Sequence, residues 1–121
     1  MLKTIRTIIL TAITCVLFIT TASAECSKEK SLKDAEQTML RLLFYPAYDA
    51  VETYYGEPRQ YWNDKILCIK KVPNTPYYEV VMQVETFFGP HNPPYGIETM
   101  TFYISYGDVQ LKNYKHEDEQ E

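Results

Sequence analysis

The apolar residues of this chain change their spacing once, near residue 65, and that switch limits what it can fold into more than any other feature. Up to about residue 56 they recur at helical spacing: Leu32, Ala35, Met39, Leu42 and Leu43, then Ala47, Ala50, Val51, Tyr54 and Tyr55. From Lys65 onward the period is two. Helical segments followed only by strands bury both apolar faces most simply when the helices lie across one antiparallel sheet.

Within the helical part, Ser31 followed by Asp34 resembles a capping box, so a helix is expected from about 32 to 44. Pro46 has no N–H and pushes Tyr45 away from helical angles, so two short helices or one kinked helix fit equally well. Gly56 and Pro58 mark the end.

Four strands are expected. The first runs from Lys65 to Val72, and Pro73-Asn74-Thr75-Pro76 turns the chain. In the second, Tyr78, Val80, Met82, Val84 and Phe88 share one face, while Glu79, Gln83 and Glu85 share the other. The third spans about 97 to 106, with Met100, Phe102 and Ile104 apolar and Glu98, Thr99, Thr101 and Ser105 interrupting them. Matching apolar positions sets Val84 opposite Met100, Met82 opposite Phe102 and Val80 opposite Ile104. Gly107-Asp108 is expected as a two-residue turn that returns Val109 and Leu111 to the face of Phe102 and Ile104. The fold class is therefore α+β: a helix or kinked helix pair on a four-stranded antiparallel meander, cystatin-like or roll-like in outline. Fold outline alone carries no function.

The first 24 residues read as a segment that is removed. Lys3 and Arg6 precede an apolar, uncharged run from Thr7 to Thr21, and Ala22-Ser23-Ala24 gives the small residues of a cleavage site. The expected organisation is a signal peptide over 1–24, a single domain over 25–116 and an acidic solvated tail over 117–121. The implied location is secreted or extracytoplasmic, with wall association open, and membrane contact only through the uncleaved signal. The segment carries two basic and no acidic residues, so the remaining chain holds 10 basic against 16 acidic side chains, a formal charge of −6. No Lys/Arg stripe interleaves with aromatics, which excludes a nucleic-acid groove as partner.

Cys15 leaves with the signal, and Cys26 and Cys68 remain as a candidate disulfide on an oxidising side of a membrane, favouring burial of the face that carries Ile66 and Cys68. Only His91 and His116 are available as imidazoles, neither at ligand spacing from a cysteine, so neither a metal nor another cofactor is expected.

Candidate binding residues cluster between the second and third strands. Gly89-Pro90-His91-Asn92-Pro93-Pro94-Tyr95-Gly96 has little freedom to lose on binding, which makes His91, Asn92, Pro93, Pro94 and Tyr95 the candidate ligand site; a stiff hairpin connection is the plain alternative. Val81, Phe87, Ile97 and Tyr103 on the outer sheet face add an amphipathic surface. The stretch from Val84 to Phe102 that contains this run resembles the block typical of the domain-of-unknown-function family 3888, small exported proteins of spore-forming Gram-positive bacteria. The likeness extends more weakly through Ala50–Gly56 and Lys65–Lys70. It implies export and points to the Gly89–Gly96 segment, and it brings no activity, cofactor or catalytic residue.

Three function classes follow. The first is a non-catalytic module that binds a peptide, a wall polymer or another envelope protein, with tyrosines supplying contact area. The second is a small hydrolase with His91 as general base and Glu85 or Glu98 orienting it or serving as acid. The third is a cystatin-like protease inhibitor with the 89–96 segment as its wedge.

Overall fold

A computed structural model describes residues 30–120. The chain divides into two units, Met1–Gln37 and Thr38–Glu121, and the fold described below is that of the second. Expectations for the signal segment and for Cys26 lie outside the described residues.

Residues 30–42 are helical (α1) and are followed by α2, Phe44–Tyr55. The interruption falls at Leu43 because a continuous helix would need the Pro46 N–H to reach the Leu42 carbonyl, and proline has none. Leu43 and Ala47 still bond back to Met39 and Leu43. Two helices, not one kinked rod, are the outcome. Around the break Leu40 and Leu43 are buried and Met39 packs against the core, whereas Leu42, expected on the same stripe, is exposed. Gly56 ends α2 in the left-handed region, φ 72°, where its N–H bonds to the Glu52 carbonyl at 2.8 Å.

The sheet is an antiparallel meander in chain order: β1 (Gln60–Lys71), β2 (Tyr78–Phe88), β3 (Asn92–Ser105) and β4 (Asp108–Asp118). The expected α+β architecture is therefore present. One core joins Leu40, Leu43, Ala47, Ala50 and Val51 of the helical segment to Val80, Met82, Val84, Met100 and Phe102 of the sheet. Each of the leucine, valine, methionine and phenylalanine side chains among them is worth about 1.5–3 kcal/mol when fully buried.

The register differs from expectation by two residues. Val80 faces Phe102, Met82 faces Met100 and Val84 faces Glu98, so the side-chain parity holds but the ladder is displaced. Glu98, two residues from Met100, lies on the same core face, where the displaced ladder sets it opposite Val84, and the candidate chemistry of the molecule follows from that buried carboxylate. Val109 and Leu111 do lie opposite Ile104 and Phe102. The turn before them is Tyr106-Gly107, not Gly107-Asp108, because the second turn position takes the left-handed conformation, φ 71° at Gly107.

β1 begins at Gln60, five residues before its expected start, and carries two bulges. The first lies between Trp62 and Lys65, where Asn63 takes φ 50° and donates from Nδ2 to Glu85 Oε2 at 2.8 Å. The second, at Leu67, puts Ile66 opposite Met82 and Cys68 opposite Val81. Ile66 and Cys68 therefore face opposite sides, contrary to expectation, and the Cys68 thiol is free and exposed.

The segment expected as a loop, Gly89–Gly96, is mostly strand. Only Gly89-Pro90-His91 turns the chain, and β3 starts at Asn92 opposite Phe88. Pro93 and Pro94, joined by a cis peptide bond, fit because the β2 ladder skips from Asn92 to Gly96 and the β4 ladder begins only at Gly96, so no amide donor is needed between. At the acidic end, Glu117 and Asp118, expected as solvated tail, pair with Ile97 and Gly96.

Candidate functional site

Two clusters of chemistry-bearing side chains occupy the same end of the sheet, one on each face. On the outer face, Trp62 of β1, Phe87 of β2 and His91 of the turn stack together. The His91 ring lies 4.2 Å from Phe87 and 4.8 Å from Trp62, centroid to centroid. Phe87 is buried beneath them, while Trp62 stays 41% exposed.

The turn holds this stack in place through its backbone. His91 adopts φ 61°, its N–H bonds to the Gly89 carbonyl at 3.0 Å, and the Tyr95 hydroxyl donates to the His91 carbonyl at 2.8 Å. Beside the stack a hollow of about 350 Å³ is lined by Trp62, Glu85, Tyr95, Glu119 and Gln120. The Glu119 N–H bonds to the Tyr95 carbonyl and fixes the far rim. Of the candidate residues, His91 and Tyr95 thus come together around Trp62. Pro93 and Pro94, with Asp118, line an adjoining hollow that shares Tyr95 and Glu119 with the first, and Asn92 is taken up by pairing with Phe88.

On the core face, Glu98 is fully buried. Its carboxylate accepts from the Tyr55 hydroxyl, from Thr86 Oγ1 at 3.2 Å and from His116 Nδ1 at 2.9 and 3.0 Å. His116 Nε2 reaches Asp118 Oδ1 at 2.9 Å. Both ring nitrogens thus face carboxylates, an arrangement that the doubly protonated imidazolium satisfies with two donors. Burial pulls the His116 pKa down, but the bonds to Glu98 and Asp118 outweigh it and hold the value above the ordinary 6.5. Burial, helped by the bond to Glu98, raises Tyr55 to about 12. Tyr114, stacked on Tyr54, has a buried hydroxyl beside Glu98 without a well-formed hydrogen bond, and burial raises it further.

The partner of Glu98 is therefore His116. Of the two carboxylates expected beside His91, Glu98 lies on the opposite sheet face, paired with His116, whereas Glu85 is on the outer face with Trp62 and accepts from Asn63 Nδ2. Among the described residues no group of three His, Cys, Asp or Glu could hold a metal ion. Nor is any helix among them long and apolar enough to cross a membrane.

The His116 pairing sets a pH window. A group whose pKa is higher folded than unfolded contributes stability that is complete below its unfolded value and is lost as pH climbs through the folded one. We expect the denaturation midpoint to fall as pH rises from about 6 through the range above 6.5, and His116→Gln to flatten that stretch. A wild-type midpoint constant across it, identical in slope to the variant, contradicts the imidazolium assignment.

An α+β domain with an aromatic patch on one sheet face and a buried carboxylate network on the other is the class that this geometry defines. The family model described as "Protein of unknown function (DUF3888)" matches residues 35–118, and the chain belongs to that family. No curated protein and no solved structure matches it.

Proposed function

We propose that the chain is an exported, non-catalytic binding module whose partner, a peptide, a wall polymer or another envelope protein, lies on the Trp62–Phe87–His91 patch and in the hollow beside it. The observation that carries this reading is the exposed Trp62 ring, packed at a tilt against His91 at the edge of a hollow with two carboxylates and an amide. A rigid aromatic platform loses little side-chain entropy on contact, and neighbouring polar groups give direction to what it holds. The hairpin beneath is held by its own backbone bonds, so little ordering is left for binding to offset. Export rests on the sequence pattern of residues 1–24; mass spectrometry of the exported protein should find Glu25 as its first residue.

Trp62 is the chain's single tryptophan, so its emission reports on this patch alone. Titrating the protein with solubilised envelope fractions and wall fragments should shift that emission saturably. Replacing His91 with alanine should weaken the half-saturation about tenfold, a loss of roughly 1.4 kcal/mol. Unchanged emission in every fraction, together with undiminished capture by Trp62→Ala, contradicts the proposal.

A further inference from the structure

The connection from α2 to β1 carries a charge that the fold leaves poorly compensated. Arg59 is 9% exposed in its side chain, and its guanidinium lies 3.9 Å over the Tyr55 ring centroid and 5.7 Å from that of Phe88. Nε is buried with no acceptor. The nearest carboxylate, on half-exposed Glu57, stands 3.6 Å from Nη2, well beyond the 2.7–2.9 Å of a charge-assisted bond. A guanidinium taken out of water without well-placed acceptors is costly unless another group completes it.

Arg59 lines a cleft of about 420 Å³ between the α2–β1 connection and the β2–β3 turn, together with Tyr48, Gln60, Phe87, Phe88 and Gly89. Its volume falls in the range of small-ligand sites, and aromatic walls around one charged group are what such sites present. Carboxylates fit the planar fork of arginine with two parallel bonds, whereas a strongly hydrated inorganic anion gains nothing from the aromatic walls. Gln60, on the rim, adds an amide able to donate to the same group.

We propose that this cleft, which shares only Phe87 with the Trp62 patch, is a second binding site for a carboxylate on an apolar body, anchored by Arg59, with the body against Tyr48 and Phe88. Either a free aromatic acid or the C-terminal end of a peptide presents that chemistry. Glu57 is the internal competitor that the ligand carboxylate displaces.

The test uses the full chain, isotope-labelled, with amide shifts followed on addition of N-acetylphenylalanine, N-acetylphenylalaninamide, a short peptide ending in phenylalanine, and inorganic phosphate. Saturable shifts at Gln60, Phe88 and Gly89 are expected for the two carboxylates, and the tighter of them identifies the source. Amide and phosphate should bind at least about tenfold more weakly. Arg59→Gln should abolish the shifts. Arg59→Lys keeps the charge without the fork and should weaken binding about tenfold, and it serves if the glutamine variant fails to fold. Glu57→Gln should tighten binding a few-fold, and the Trp62 indole resonance should move less than the amides of Gln60, Phe88 and Gly89, which separates this site from the proposed function. The inference is overturned if the amide or phosphate binds as well as the carboxylates, if none of the probes binds, or if Arg59→Lys binds like wild type.

Discussion

Replacing Glu98 with alanine should lower the unfolding free energy by about 3–5 kcal/mol, the range found when one partner of a buried charge pair is removed. The size follows from what is left behind. Tyr55, Thr86 and His116 all aim at this carboxylate, and each loses its acceptor in a place that water does not reach freely. A domain of this size has only about 5–15 kcal/mol in total, so the variant should be partly unfolded at ordinary temperature. Glu98→Gln keeps the shape but not the charge, and should fall between the two. Urea denaturation followed by far-ultraviolet circular dichroism measures the series, and an alanine variant within about 1 kcal/mol of wild type would show that the network contributes nothing of note.

Gly96→Val should cost a similar amount, about 3 kcal/mol, through crowding and lost bonds together. Gly96 is in strand conformation, so its lack of a side chain serves space and not backbone angle. A Cβ there would sit 2.6 Å from Glu98 Oε1, 2.6 Å from the Tyr55 hydroxyl and 2.8 Å from Thr86 Oγ1. The glycine is thus the hole into which the network is built. A double-mutant cycle gives the sharper result: in a Glu98→Ala background, Gly96→Ala should be markedly less damaging than in wild type, because one of the atoms it strikes is gone. Strict additivity would mean that the Gly96 penalty arises elsewhere.

These two effects also show where the sequence could be read and where it could not. The parity of β2 and β3 was plain from Val80, Met82, Val84 and from Met100 and Phe102, and parity alone fixed which face meets the helices. Glu98 has the same parity as Met100, so its burial was within reach; reading it as an interruption of an apolar series hid it. His116 was harder. An extra residue at Lys112 breaks the β4 ladder, so that odd-numbered Leu111 and even-numbered Tyr114 and His116 share one face. No alternation count crosses a bulge whose position is unknown. The same difficulty separated Ile66 from Cys68 in β1.

The geometry of the proposed surface was half legible. Rigidity and ring content single out His91 and Tyr95, and the structure places His91 against Trp62 and Tyr95 in the hollow beside it. Trp62 lies before Lys65, the expected start of the first strand, and the bulge that follows it in β1 breaks the alternation that would have carried the strand back to Gln60. Only pairing across the sheet brings Trp62 against Phe87, 25 positions later in the chain, and that contact is tertiary in origin. The prolines misled in the other direction, since proline is ordinary turn punctuation and here fills the one stretch of β3 with no ladder to support.

The proposed partner site is the set of outer-face rings, Trp62, Phe87 and His91. It is tested most directly by recording amide and indole spectra of the isotope-labelled chain while solubilised envelope material is added. The single indole N–H of Trp62, with the amides of His91, Tyr95 and Glu119, should move together and saturate, while Glu98 and the helix α2 stay still. Shifts centred on the helices, with the indole resonance unmoved, would contradict it.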